Sequence, residues 1–218
     1  IKKPDKEEQD TRDDTKKAQD NLIGEIRDTS LVMGCLQNLL EARGVHLNGL
    51  IRSDTHATSS SAILMSDAAS QSVYHHLGAT AHIRLEGLPE PLIDKAEVLL
   101  ATSYPIVPNM RAGGFARALA RAHQSGGITA LDIGPSIGNP VTLAEIAPLL
   151  PATHYLIANT YELNQLIGTE DWESAAAQLL DAGAQNLVVK RDAAGTSLRG
   201  SSNSVDVPAF EVSATVSV

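Results

Sequence analysis

From residue 96 onward, short apolar runs alternate with stretches whose apolar positions follow a helical period. The runs are 98–100, 128–133, 155–158 and 187–189. Each has the length of a buried strand, and their spacing of roughly 30 residues is what a strand–helix–strand crossover needs. The helical stretches cover 111–123, 142–150, 160–167 and 172–182. Gly126, Gly168 and Gly183 stop three of them, and Pro151 follows the other. Right-handed crossovers then give a mostly parallel sheet with helices on both faces. The stretch 196–218 reads as strands joined by a polar turn at 200–203.

Upstream the pattern is different. Between Ile1 and Leu22 there is no large apolar residue, and the acidic and basic residues of 1–20 nearly cancel. Such a segment buries too little surface to offset its ordering entropy, so 1–20 reads as a charged leader, solvated or disordered. A polar helix reaching toward a partner is the alternative. The domain proper is then 21–218. Leu31, Cys35, Leu36, Leu39 and Leu40 form a stripe that predicts a helix over 31–43, closed by Gly44. Strand-like pieces at 60–65 and 72–75, separated by a polar turn at 66–71, predict a hairpin inside the α/β chain. With its flanks, about 47–80, this hairpin would form a small lid that covers a ligand or patches a sheet edge.

Composition narrows the function classes. The chain has 218 residues, 43% hydrophobic and 20% charged, which suits one sizeable domain. A net charge of −9 argues against nucleic acid or an anionic membrane surface as partner. Aromatic residues at 3% disfavour base-stacking platforms. The single cysteine, Cys35, excludes an internal disulfide and a cysteine-rich zinc site. Its place among Leu36, Leu39 and Leu40 predicts a buried, inert thiol. No apolar run approaches the roughly 18 residues of a membrane span, and the amino end is charged where a signal peptide would be apolar. The expected location is the cytoplasm, with an organelle stroma as the alternative.

Several phosphate cradles are missing. There is no G-x-x-x-x-G-K-[ST] and no G-x-G-x-x-G between a strand and a helix. Nor does any G-x-S-x-G mark a hydrolase elbow. His75 and His76 are adjacent, so on a strand they face opposite sides and do not form one metal site. Asn159-x-x-Glu162 opens the helix after the strand at 155–158 and has two readings. One is a capping box that satisfies helix amides. The other is a site at a strand's carboxyl edge, where a carboxylate holds magnesium-bound water and the amide fixes it or a phosphate. The two are compatible, and Thr142-x-x-Glu145 reads as a second capping box. Lys190 to Gly195 follow another strand, and their turn would bind a nucleotide phosphate or simply end the strand in solvent. Asp132 sits at the end of a strand, facing the same edge or opening a turn.

In order and content these stretches resemble the PfkB-type, or ribokinase-like, family of carbohydrate and nucleoside kinases. Residues 35–45 (CLQNLLEARGV) are similar to the helix before the family's lid strands, and 58–65 and 73–80 to those strands. Gly78-Ala79-Thr80 is similar to a family G-A-N. Residues 131–135 (LDIGP) are similar to the strand bearing an Asp or Asn. Residues 157–168 (IANTYELNQLIG) match the N-x-x-E motif and its helix, and 187–198 the nucleotide-side strand and turn. The resemblance implies a doubly wound, mostly parallel α/β sheet flanked by helices, with a small inserted β lid. It implies transfer of the ATP γ-phosphate to a hydroxyl of a sugar or nucleoside, with magnesium. Asn159 and Glu162 would carry the metal and phosphate role, while Lys190, Arg191 and Gly195 would border the nucleotide. Ser60, Ile63 and Asp132 would face the acceptor, and the lid would pair two copies into a homodimer.

Three departures from the family pattern accompany these matches. The family's catalytic aspartate and anion hole lie in a G-A-G-D segment, which the 218 residues do not contain. The Gly-Gly-x-Asn sugar contacts are likewise missing, and Asp192 stands where a family glycine is common. The expectations are therefore a sugar kinase whose catalytic aspartate lies beyond Val218, this chain alone being inactive, or a kinase-like scaffold or regulatory subunit without catalysis.

Overall fold

The computed structural model describes residues 30–65, 71–134 and 140–211. The chain divides after His82 into two compact units. The charged leader, the tip of the hairpin turn and the last residues of the predicted terminal strands fall outside the described residues.

In the first unit, helix α1 (Ser30–Glu41) occupies the predicted stretch. Its end is marked by a hydrogen bond from the Gly44 amide to the Glu41 carbonyl, 2.9 Å. Strands β1 (Ser60–Met65) and β2 (Gln71–His76) form an antiparallel pair in which Ser60 lies opposite His76 and Ile63 opposite Val73. None of residues 34–64 and 73–82 is buried. One helix and one two-stranded hairpin carry too little apolar surface to build a core. Cys35 is accordingly exposed, not buried as its leucine neighbours predict. Gly78 has φ +49, and a Cβ there would meet the Ala57 carbonyl oxygen at 2.3 Å. The Ala79 amide donates to that same oxygen at 2.8 Å, so only glycine admits this close return of the chain.

The second unit is built on a six-stranded sheet. Its strands are β3 (Val98–Ala101), β4 (Ile128–Asp132), β5 (Tyr155–Asn159), β6 (Asn186–Lys190), β7 (Thr196–Gly200) and β8 (Ser204–Val207). They lie side by side in sequence order, parallel from β3 to β6, with β7 and β8 added antiparallel. The helices of this unit are α2 (Glu90–Asp94), α3 (Phe115–Gln124), α4 (Leu143–Ile146), α5 (Thr160–Ile167) and α6 (Trp172–Asp181). The result is a mostly parallel mixed sheet flanked by helices, as expected. Its core contains Leu119, Leu131, Ile146, Leu150, Leu156, Leu163, Leu179 and Leu187, all essentially without solvent contact. Burial alternates along β5 and β6, so Leu156, Ala158, Leu187 and Val189 point into the core.

Two predicted helices are modified. The stretch 111–123 begins instead as a wide turn, Met110–Gly114, broken at Gly113 (φ 130), and becomes an α-helix only at Phe115. Adjacent Gly113 and Gly114 explain the break, since they hold helical backbone weakly. The stretch 142–150 is α-helical only over Leu143–Ile146 and tightens to a 3-10 helix over Ala147–Ala152. Pro148 and Pro151 remove the amides that a longer α-helix would need.

Candidate functional site

Parallel strands end together, so the carboxyl edge of the sheet collects the last side chains of β4, β5 and β6. Register places Asn159 beside Lys190 and Asp132 beside Ile157. Asp132, Asn159 and Lys190 therefore terminate three neighbouring strands. The Lys190 Nζ donates to Asp132 Oδ1 at 2.9 Å, passing across the end of β5. The other carboxylate oxygen of Asp132 accepts from the Thr102 hydroxyl at 3.0 Å. Thr102 follows β3, so four consecutive strands contribute to this edge. Thr102 carries no sequence motif; its partner is 30 positions away.

Asn159 and Glu162 form the capping box in full. The Glu162 amide donates to Asn159 Oδ1 at 2.7 Å, and the Asn159 amide donates to Glu162 Oε2 at 2.8 Å. The structural reading of N-x-x-E is thus realised. The functional one has what the box leaves over: the Asn159 side-chain NH2 and Glu162 Oε1 make no hydrogen bond among the described residues. Glu162 is buried, with 6% of its surface exposed. Among the described residues no three His, Cys, Asp or Glu side chains converge as a metal cage. These donors fit a magnesium ion that keeps most of its water and takes phosphate oxygens, which is how that ion is commonly held.

The turn after β6 is more committed than its sequence indicates. The Arg191 amide donates to the Gly195 carbonyl at 2.8 Å, and the amides of Ala194 and Gly195 bond within the turn at 2.9 Å each. Only the Asp192 and Ala193 amides stand outside this network. Asp192 has φ +48, a conformation that glycine adopts without strain. Gly195 is required by its own chain: at φ +88, a Cβ would lie 2.0 Å from the Val207 carbonyl oxygen. Arg191 does not reach out as a free phosphate ligand. Its guanidinium stacks on Trp172, 5.2 Å from the ring centroid, and donates to the Ala194 carbonyl at 3.3 Å and Asp206 Oδ1 at 3.4 Å. Arg199 stacks on the same indole at 5.1 Å and bonds Asp206 at 3.0 Å. Hydrogen bonds from Ser197 and then Arg199 hold the Asp206 carboxyl below the usual carboxylate range. This sandwich fixes the turn from behind, leaving Lys190 as its cation at the sheet edge.

Thr142 and Glu145 do not form a second capping box, since the Thr142 side chain makes no cap bond. Glu145 is drawn instead to Arg111, which binds it through Nε and, at 2.7 Å, through Nη2. A competing bidentate guanidinium outbids a backbone amide for a carboxylate. Arg111 also donates to the Pro140 carbonyl at 3.1 Å and stacks on the Tyr104 ring at 5.8 Å. The Arg111 hydrogen bond lowers the Glu145 pKa. Burial, with the nearby Glu145 charge, pushes the Tyr104 hydroxyl up to about 12. This clasp ties the segment after β3 to the one after β4.

Ser60 and Ile63 lie on β1 in the first unit. That unit holds a cavity of about 940 Å³ lined by Asp54, His56, His75, His76 and His82, among others. His56 and His82 stack with ring centroids 3.7 Å apart, and His75 Nδ1 lies 2.7 Å from the Ser61 hydroxyl.

The sequence model of the pfkB family of carbohydrate kinases matches residues 35–218. No curated protein sequence matches the chain. Among solved structures, ribokinase from Thermotoga maritima superposes with a TM-score of 0.65 at 21% identity, covering 84% of this chain and 57% of its own. Adenosine kinase from Sinorhizobium meliloti gives 0.67 at 21% identity, with coverages of 83% and 55%. A fructokinase with bound ATP from Xylella fastidiosa gives 0.62 at 22% identity, with coverages of 78% and 56%. At these identities the likeness concerns the fold. The chain spans less than two thirds of the length of each.

Proposed function

The chain belongs to the pfkB family of carbohydrate kinases, and from that premise we propose that its sheet edge serves magnesium-dependent transfer of the ATP γ-phosphate to a hydroxyl of a sugar or nucleoside. The observation that carries this reading is the convergence of Asp132, Asn159 and Lys190 on three adjacent strand ends, with Glu162 in the helix turn above them. Open α/β sheets bind ligands at this edge. Phosphoryl transfer depends chiefly on positioning and charge neutralisation, which a fixed set of one cation, carboxylates and an amide can provide.

Lys190 would neutralise phosphate oxygens, and the Asn159 NH2 would donate to one. Glu162 would hold water of a hydrated magnesium ion, which when bound neutralises charge on the transferring phosphates. The capping box keeps Asn159 and Glu162 oriented before any ligand arrives. Asp132 would face the acceptor. The base that takes the acceptor proton would be an aspartate in a G-A-G-D segment, which these 218 residues do not contain. A homodimer formed through the hairpin, and a cytoplasmic location, belong to the same reading. Among the described residues no helix is long and apolar enough to cross a membrane.

The test is product formation from magnesium ATP against a panel of sugars and nucleosides. A form extended past Val218 by the G-A-G-D segment is expected to phosphorylate a member of the panel, and the 218 residues alone to show negligible turnover. No product from the extended form would overturn the enzyme reading in favour of a kinase-like scaffold. Turnover by the 218 residues would overturn the assignment of the base.

A further inference from the structure

The bridge between Lys190 and Asp132 lies over the end of the strand that carries Asn159. Its two residues are separated by 58 positions, and β5 runs between their strands. Two strand spacings are roughly 10 Å, a gap that only an extended lysine reaching toward a carboxylate closes. The Lys190 side chain is 46% exposed and the Asp132 side chain 21%. Asp132 is the only ion-pair partner of Lys190 among the described residues, whereas Asp132 is also anchored by the Thr102 hydroxyl. The lysine is thus the movable half and the aspartate the fixed half.

We infer that this ion pair is a latch specific for polyphosphate. Lys190 rests on Asp132 across the mouth of β5 and leaves it only for an incoming phosphate chain. This deepens the phosphoryl-transfer reading and rests on it. A partly exposed ion pair contributes little. A phosphate offers more negative charge and several strong acceptor oxygens at once, so the exchange runs toward the anion. A nucleoside without phosphate has nothing to offer the ammonium and leaves the latch closed.

The latch predicts an interaction between the two residues that simple charge removal does not. The experiment is titration calorimetry of inorganic tripolyphosphate, free of metal and at fixed ionic strength. It is applied to the chain, to Asp132→Asn, to Lys190→Met and to the double variant. Lys190→Met is expected to weaken binding about tenfold, the effect of one charge-assisted hydrogen bond. Asp132→Asn is expected to tighten it about threefold by freeing the lysine, as loss of an exposed ion pair allows. The double variant should bind like Lys190→Met alone, with no gain from the second substitution. Both residues sit at partly exposed strand ends, and far-ultraviolet circular dichroism confirms that each variant is folded; Lys190→Gln replaces methionine if it is not. If Asp132→Asn tightens binding equally with and without Lys190, the gain is general electrostatics and the latch is overturned. Equal binding by all four forms also overturns it, while leaving the phosphoryl-transfer reading to its own product assay. If none of the forms binds tripolyphosphate, both the latch and the anion role of this edge are lost.

Discussion

The two units treat their apolar residues in opposite ways. In the sheet unit Leu131, Leu156 and Leu187 are fully buried, and the strands they anchor end in Asp132, Asn159 and Lys190. In the hairpin unit Leu39, Leu64 and Val73 are each about half exposed, and none of residues 34–64 and 73–82 is buried. A packed interior fixes strand ends to fractions of an ångström, which charge chemistry at an edge requires. A two-stranded hairpin with a helix has no such interior, so its residues are held by local hydrogen bonds and turn geometry. The difference separates a scaffold that positions groups from an appendage whose contribution is its surface.

The widest contrast is expected from truncating a leucine in each unit. Leu156→Ala should destabilise the protein by about 2–5 kcal/mol, because it empties a site in a closed core. Leu39→Ala, at 52% exposure, should stay within about 0.5 kcal/mol. Chemical denaturation of both variants measures the gap, and equal effects would erase the distinction. Next in size, Gly195→Ala forces a Cβ against the Val207 carbonyl and should cost about 1–3 kcal/mol in the sheet unit. Gly78→Ala makes a similar clash with Ala57, yet should leave the main unfolding transition in place. A shift of that transition by Gly78→Ala would show that the hairpin turn supports the sheet.

The clasp between Arg111 and Glu145 gives a pH test. The folded pKa of Glu145 lies below its ordinary value of 4.5. Its contribution is therefore complete above about pH 4.5 and is lost as pH falls through the lowered folded value. Glu145→Gln should cost about 2 kcal/mol at neutral pH and flatten the stability profile below 4.5. Tyr104 acts at the other end. Its folded pKa of about 12 exceeds the ordinary 10, so its contribution is whole below pH 10 and disappears as pH rises through 12. Absorbance titration of the phenol should show one tyrosine ionising late, and Tyr104→Phe should remove that step. The smallest expected effect belongs to the single tryptophan. Trp172→Leu removes both cation–π stacks and should cost about 1 kcal/mol. Arg191→Met should shift the emission of Trp172, which as the only indole in the chain reports on this turn.

Local patterns carried the fold. Short apolar runs marked β3 to β6 within a residue or two, since a short apolar run is a local signal, although in β3 only Ala101 is buried while Val98 and Leu100 are exposed. The break at Gly113 and the shortening of α4 were visible only as residues, Gly113-Gly114 and Pro148, whose effect depends on competition with packing. At the candidate site, Asn159 and Glu162 were readable because a capping box is a local device. The links from Lys190 to Asp132, from Thr102 to Asp132 and from Arg111 to Glu145 were not, since each joins residues that only the strand order brings together. Arg191 illustrates the same limit: the sequence shows a cation beside a turn, and only the fold reveals that Trp172 and Asp206 have claimed it.

The central claim is that nucleotide phosphates meet this protein at the carboxyl edge of the sheet. Amide hydrogen exchange with and without magnesium ATP addresses it residue by residue. Protection is predicted to rise at Asn159–Glu162 and at Asp192 and Ala193, whose amides the turn leaves free. Protection confined to the cavity around His56 and His82, or none in the presence of saturating nucleotide, would contradict the account.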